Sequence, residues 1–158
     1  MQSVSAQRAA LSPIVTDNPE FFAQAMLTIH TPGRSFTEIT REAAQFIEKA
    51  NARAGILLLF IRHTSASLVI QENADPDVVR DLDEFFSRIV PEDAPWYRHT
   101  AEGPDDMPAH IRAALTQTQL TVPLVDSRLA LGTWQGIYVF EHRSRSHRRS
   151  IVLHLAGE

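Results

Sequence analysis

The 158-residue chain has 44% hydrophobic residues and a formal net charge of −4, which together predict one globular domain with its own core. The negative charge disfavours nucleic-acid binding, because such binding depends on a basic surface that neutralises phosphates. There is no cysteine, so any metal must be held by histidine and carboxylate. No apolar run reaches the ~20 residues that cross a bilayer, and the N-terminus lacks the apolar core of a signal peptide. We therefore expect a cytoplasmic protein with no membrane partner.

The first elements follow from proline content and apolar spacing. Residues 1–20 are polar and contain two prolines, which predicts a flexible N-terminal tail before a single domain over 21–158. A strand is predicted over 21–31, and apolar residues at helical spacing predict a helix over 37–53. The run ILLLFI at 56–61 is apolar on both faces, which predicts a central strand covered on both sides.

The second half of the chain begins with a short strand predicted at 67–71. Asp75 followed by proline marks the start of a helix over 76–89, and a second aspartate-capped start opens a short helix over 106–115. Three more strands are predicted at 119–125, 136–142 and 150–155. This order predicts an α+β fold, a compact single domain on a mixed, largely antiparallel β-sheet covered by helices.

Histidines mark the first candidate site. His63 follows the central strand and precedes hydroxyls, Ser65 among them, that can orient a ring or bind phosphate; the alternative is a histidine that only closes the strand. Asp106 and His110 are four residues apart on a helix and face the same way, so they can share an ion. The alternative is a helix-capping aspartate before a surface histidine. The segment from His99 to His110 holds two histidines and three acids in twelve residues, which favours a metal site.

Two further segments carry groups that can bind a ligand. Asn73 and Asp75 precede the helix over 76–89, where capping alone explains the aspartate. Trp134 and Gln135 lie between two glycines, either presented to a ligand or forming a simple hairpin. Four arginines before the last strand can clamp phosphate or form a solvated turn: Arg143, Arg145, Arg148 and Arg149.

Four segments together resemble the YjbQ-like family, the secondary thiamine-phosphate synthase enzymes, over roughly residues 24–158. They are HTSASLVIQENADPDVVRDL (63–82), HTAEGPDDMPAHI (99–111), RLALGTWQGIYVFEHR (128–143) and AGE (156–158). The resemblance implies an α+β domain that assembles as a homotrimer, with His63, His99 and His110 as metal ligands. Ser127 departs from the family pattern, in which a glycine is expected at this turn.

The activity implied by the resemblance is a metal-dependent transfer that couples a pyrimidine diphosphate to a thiazole phosphate and releases pyrophosphate. One divalent metal is expected, zinc, with magnesium as the alternative. The remaining roles are catalytic for Asp106, Asn73 and Asp75, and binding of the small phosphorylated substrate for Ser65, Trp134, Gln135, Arg143 and Arg149. Two alternatives stay open: a zinc-dependent hydrolase or lyase on a small phosphorylated substrate, and a non-catalytic protein that binds metal or a small molecule.

Overall fold

Two antiparallel sheets and three helices form the described part of the chain, residues 9–17 and 21–158 of this computed structural model. The helices are α1 (Thr40–Ala50), α2 (Pro76–Ile89) and α3 (Asp106–Leu115). The strands are β1 (Ala9–Leu11), β2 (Val15–Asp17), β3 (Phe22–Thr31), β4 (Ser35–Glu38), β5 (Gly55–Ile61), β6 (Ala66–Glu72), β7 (Gln119–Val125), β8 (Arg128–Leu129), β9 (Gln135–Glu141) and β10 (His147–Gly157). The predicted α+β class is confirmed.

The larger sheet has the strand order β1-β3-β10-β5-β7-β8, with β2 also paired to β3, and the smaller sheet has the order β4-β9-β6. All pairings between these strands are antiparallel. The short strand β4 overlaps the start of the helix predicted over 37–53, because Ser35–Glu38 pairs with β9 before α1 begins. That helix also ends earlier than predicted, at Asn51, which has a positive φ of 54°.

One hydrophobic core lies between the two sheets. Alternate residues of β5 and β10 point into it, and α1 adds Phe46 and Ile47, which are at most 1% exposed. Strand β5 is central, between β10 and β7, as predicted. The prediction that both its faces are covered is wrong within this chain, since Ile56 is 53% and Phe60 is 41% exposed. An apolar run predicts a central strand, but the exposure of each face depends on which other elements of the fold pack against it.

Helix α2 covers the smaller sheet and does not reach β5. It packs through Phe86, whose ring meets that of Phe140 at 5.3 Å, and none of its residues is fully buried. No helix among the described residues is long and apolar enough to span a membrane. Within the segment expected to be a tail, residues 9–11 and 15–17 form strands along β3 and residues 12–14 connect them. Residues 1–8 and 18–20 of that segment lie outside the described residues.

Candidate metal centre

The first turns of α3 and the loop before it bring two histidines to one carboxylate. Asp106 and His110 are four residues apart on α3, and His99 comes from the preceding loop. The Asp106 Oδ2 atom lies 2.6 Å from His99 Nε2 and 3.4 Å from His110 Nε2. One ligand atom from each residue falls within 4.8 Å of the others. The side chain of Asp106 is 2% exposed and that of His99 is 46% exposed, so the cluster has a buried base and an open side.

A backbone carbonyl sets the tautomer of His110. Its Nδ1 atom lies 3.0 Å from the carbonyl oxygen of Thr64, and a carbonyl can only accept, so Nδ1 carries the proton. In the neutral ring the Nε2 lone pair then faces Asp106 Oδ2 across 3.4 Å. Two electron-rich atoms that face each other repel, and a shared cation converts that repulsion into attraction. A hydrogen bond from the other ring nitrogen is the usual support for a histidine that ligates metal.

Arg143 holds the carboxylates of this cluster. Its Nη1 atom donates to Asp106 Oδ1, its Nε atom donates to Asp105 Oδ2 at 3.1 Å, and its Nη2 atom donates to the Glu102 carbonyl at 2.9 Å. The guanidinium is therefore committed to the protein. The structure places Arg143, the predicted phosphate clamp, on carboxylates of the protein, where it fixes the orientation of Asp106 so that Oδ2 faces the histidines.

Asp105 keeps its negative charge to low pH beside this centre. Burial by itself raises the pKa of the carboxyl group, but hydrogen bonds from the Ser144 backbone N–H, from Arg143 and from the Ser144 hydroxyl outweigh it and lower the pKa to about 2. The backbone and hydroxyl bonds of Ser144 measure 2.9 and 3.0 Å. This charge favours a cation at the neighbouring cluster.

The donor set fits zinc. Two imidazole nitrogens and one carboxylate oxygen give the three protein ligands that catalytic zinc takes, with a further position open for water or substrate. Magnesium takes oxygen ligands, so the two histidines disfavour it. A groove of about 430 Å³ adjoins His99 and is lined in part by Tyr97, Met107 and Asp93. The exposed side of the cluster therefore opens onto a space of ligand size.

His63 lies outside the cluster, so the structure does not bring it together with His99 and His110, the two other predicted metal ligands. The Nε2 atom of His63 accepts a hydrogen bond of 2.8 Å from the backbone N–H of Ser150. Burial, followed by the nearby positive charge of Arg149, lowers the pKa of His63. The lone pair that would bind a metal is already engaged in joining the end of β5 to β10.

Arg149, also predicted to bind phosphate, is likewise engaged within the protein. The side chain is 4% exposed and donates to both carboxylate oxygens of Glu141, at 2.6 and 2.5 Å. It also donates to the Ser65 hydroxyl at 3.0 Å. Glu141 in turn accepts from the backbone N–H of Arg143 at 2.9 Å. This buried ion pair therefore supports the residue that holds Asp106.

The remaining predicted residues gather at the other end of the smaller sheet. Asp75 caps α2, accepting from the Asp77 N–H at 2.9 Å, and Gln135 closes its own turn by accepting from Gly132 at 2.7 Å. The backbone N–H of Asn73 donates to the carbonyl of Trp134, whose side chain is 62% exposed. Strand β9 separates Gln135 from Glu141 by about 20 Å at ~3.4 Å per residue. Within one chain, the structure does not bring these residues to the metal centre.

Two further residues complete the comparison with prediction. His142 is 1% exposed; burial, followed by the charge of Arg112, lowers its pKa to about 3. Ser127 adopts a positive φ of 62°, so the turn keeps the conformation for which glycine is expected. The contribution of the Thr64 carbonyl to the centre was missed, since a backbone oxygen leaves no signal in the sequence.

Comparison with known proteins identifies the family of the chain. The sequence model of the family described as UPF0047 protein YjbQ-like matches residues 25–158. The chain belongs to the YjbQ-like family. It is 50% identical over 135 residues to the UPF0047 protein sll1880 of Synechocystis sp., a match that covers 85% of this chain and 92% of that relative.

Two other relatives of this YjbQ-like chain extend the comparison. The UPF0047 protein YjbQ of Escherichia coli O157:H7 is 41% identical over 136 residues, which cover 85% of this chain and 98% of that protein. The crystal structure of the conserved hypothetical protein TT1486 from Thermus thermophilus superposes with a TM-score of 0.72 at 32% identity. That superposition covers 80% of this chain and 96% of the other.

Proposed function

We propose that this YjbQ-like protein is a metal-dependent enzyme that hydrolyses a small phosphorylated substrate at one zinc ion held by His99, Asp106 and His110. The observation that carries the proposal is the fixed tautomer of His110, whose free lone pair faces a buried carboxylate at 3.4 Å. Bound zinc supplies a Lewis acid that lowers the pKa of its water to about 7. The Thr64 carbonyl fixes one imidazole and Arg143 fixes the carboxylate, so the ligands are held in place before metal or substrate arrives.

The engagement of the two arginines predicted to bind pyrophosphate supports hydrolysis as the first candidate. Transfer with pyrophosphate as leaving group needs cations that stabilise the charge growing on that group. Arg143 and Arg149, the predicted candidates, are both engaged by carboxylates of the protein. A zinc ion held by His99, Asp106 and His110 would supply the activation of water, and the groove beside His99 gives space for a substrate.

A second candidate is the thiamine-phosphate synthesis that the family resemblance implies. The groove of about 430 Å³ beside His99 supports it, because the space is large enough for a heterocycle and Tyr97 lines it. Within one chain Trp134 and Gln135 lie far from this groove, so their contact with a heterocycle requires a site shared between subunits. The homotrimer implied by the resemblance stands as part of this second proposal, supported by the exposed apolar residue Ile56, which is 53% exposed.

Metal analysis and a substrate panel test both candidates. Protein purified without a histidine tag is expected to hold about one zinc per chain, and His110→Ala is expected to lose it while keeping the fold by circular dichroism. His30→Ala is the matched control, since His30 is exposed and lies outside the cluster. Full zinc content in His110→Ala would remove the proposed site. Bound iron, which the same ligand types also hold, would change the metal assigned.

The substrate panel combines phosphate monoesters with the two phosphorylated thiamine precursors, and His99→Ala serves as the inactive reference. Zinc-dependent release of phosphate from a monoester supports hydrolysis. Zinc-dependent formation of thiamine phosphate supports the second candidate. Equal product from the parent protein and His99→Ala on every substrate would refute both and leave a non-catalytic metal-binding protein.

A further inference from the structure

A second groove, of about 510 Å³, lies where β5 ends and the HTS segment begins. Its lining includes Phe60, Arg62, His63, Thr64 and Ser65, and none of the described residues that line it is acidic. The volume suits a small organic ligand. Thr64 links this groove to the metal centre, because its carbonyl accepts the hydrogen bond from His110 at 3.0 Å.

The hydrogen bond that excludes His63 from the metal cluster makes it a donor in this groove. The Ser150 backbone N–H donates to Nε2 at 2.8 Å, so Nε2 carries no proton and Nδ1 carries one. No described residue accepts a hydrogen bond from Nδ1, and this atom is not among the buried atoms without a partner. The His63 Nδ1–H is therefore a donor that is available to a ligand in the groove. Its orientation is fixed by the hydrogen bond from the backbone N–H of Ser150 in β10 to the other ring nitrogen.

Two neighbouring side chains add donors of the same kind. The Arg62 side chain is exposed, and its guanidinium makes no ion pair or hydrogen bond with the described residues. The Ser65 hydroxyl oxygen already accepts from Arg149 at 3.0 Å, which leaves its own proton free to be donated. Arg62, His63 and Ser65 thus offer a guanidinium, an imidazole N–H and a hydroxyl proton close together along the chain. No described residue accepts a hydrogen bond from any of these three donors.

The two grooves beside the metal centre differ in charge. The groove at His99 is lined by Asp93, whose negative charge disfavours an anion, and by Glu92, whose charge is offset by an ion pair with Arg34. The groove at His63 presents Arg62 and no acid among its described lining residues. An anionic ligand therefore favours the second groove. A dianionic tetrahedral group with three terminal oxygens matches donors that differ in direction better than a planar carboxylate does.

We propose that the groove formed by Arg62, His63 and Ser65 binds the phosphate group of a phosphate monoester, with the His63 Nδ1–H as its fixed donor. The organic part of the monoester lies against Phe60, which is 41% exposed. The inference rests on the proposed function only in taking this ligand to be the substrate of the metal centre. Phosphate binding itself requires no metal.

Calorimetric titration of zinc-free protein with phenyl phosphate and with inorganic phosphate tests the site. Arg62→Gln is expected to weaken phenyl phosphate binding on the order of tenfold, through loss of a charge-assisted contact. Arg128→Gln is the matched control: it removes the same charge from an exposed residue at the far end of β7. Val125, its partner, is six residues from Gln119, the partner of Phe60, which is about 20 Å at ~3.4 Å per residue. Unchanged affinity in Arg62→Gln, or no binding of either probe, would overturn the proposal. Equal affinity for the two probes would overturn the assignment to a monoester.

Long-range proton–nitrogen NMR of the imidazole rings tests the fixed donor directly, without a variant at His63. The expected spectrum has His63 protonated at Nδ1 only, with its signals shifted by phenyl phosphate. Protonation at Nε2 would refute the inference. Zinc stoichiometry, measured on the same samples, separates the two proposals. Binding of phenyl phosphate without binding of zinc supports the phosphate site and overturns the metal centre. Binding of zinc without binding of phenyl phosphate supports the metal centre and overturns the phosphate site.

Discussion

Replacing Arg143 with glutamine distinguishes two functions of this residue: orienting Asp106, which its position in the structure indicates, and binding a substrate phosphate, which the sequence predicts. Arg143 donates to Asp105, to Asp106 and to a loop carbonyl, so the substitution leaves two buried carboxylates without their cation. Loss of a residue that orients a metal ligand lowers metal affinity by roughly ten- to a hundredfold. That range corresponds to about 1.4–2.7 kcal/mol of binding free energy. Removing the cation from buried carboxylates is also expected to lower the free energy of unfolding of the zinc-free protein by about 3 kcal/mol.

The assay is a competition titration of zinc against a chromophoric chelator, followed by urea denaturation of the zinc-free protein. Arg145→Gln is the control, because Arg145 is exposed in the same turn and its side chain contacts neither carboxylate. A phosphate clamp at Arg143 would leave zinc affinity intact and weaken phosphate binding alone. Zinc affinity within twofold of the parent protein would therefore refute the view that Arg143 orients Asp106.

Three further predictions concern stability and assembly. Burial lowers the pKa of His142 to about 3, so the unfolded chain takes up a proton below pH 6.5 that the folded protein refuses, and stability falls with decreasing pH. From pH 7 to pH 4 this loss is about 3 kcal/mol; urea denaturation should show it in the parent and in His30→Gln but not in His142→Phe. Gly55→Ala should lower the free energy of unfolding by at least ~1–3 kcal/mol in the same assay, because φ is 147° and a Cβ would lie 2.3 Å from the Ala156 oxygen; an unchanged denaturation midpoint would contradict this. Multi-angle light scattering at micromolar concentration should give the mass of a trimer, and a monomer mass would rule the trimer out.

The sequence alone was sufficient for most of the elements. The helices predicted over 76–89 and 106–115 match α2 and α3. Asp75 caps α2 as predicted, whereas Asp106, the predicted cap of the second helix, is its first residue, and Asp105 occupies the N-cap position without a side-chain cap hydrogen bond. The prediction of a strand over 119–125 is also confirmed, because apolar and polar residues alternate along it as they do between the two faces of a sheet. Of the centre, the i, i+4 spacing of Asp106 and His110 was readable because a helix puts such residues on one face.

The tertiary structure decided which polar groups are free to act. The side chain of His63 can ligate a metal, and those of Arg143 and Arg149 can bind phosphate. Each of the three is hydrogen-bonded to a residue that lies between 8 and 87 positions away in the chain. Sequence spacing cannot reveal such engagement, since a hydrogen-bonding group can serve the protein or a ligand, and long-range packing determines which. The tautomer of His110 also cannot be read from sequence spacing. It depends on a hydrogen bond of 3.0 Å to the carbonyl of Thr64, which is 46 residues earlier in the chain and comes within reach only when α3 packs beside the segment that follows β5.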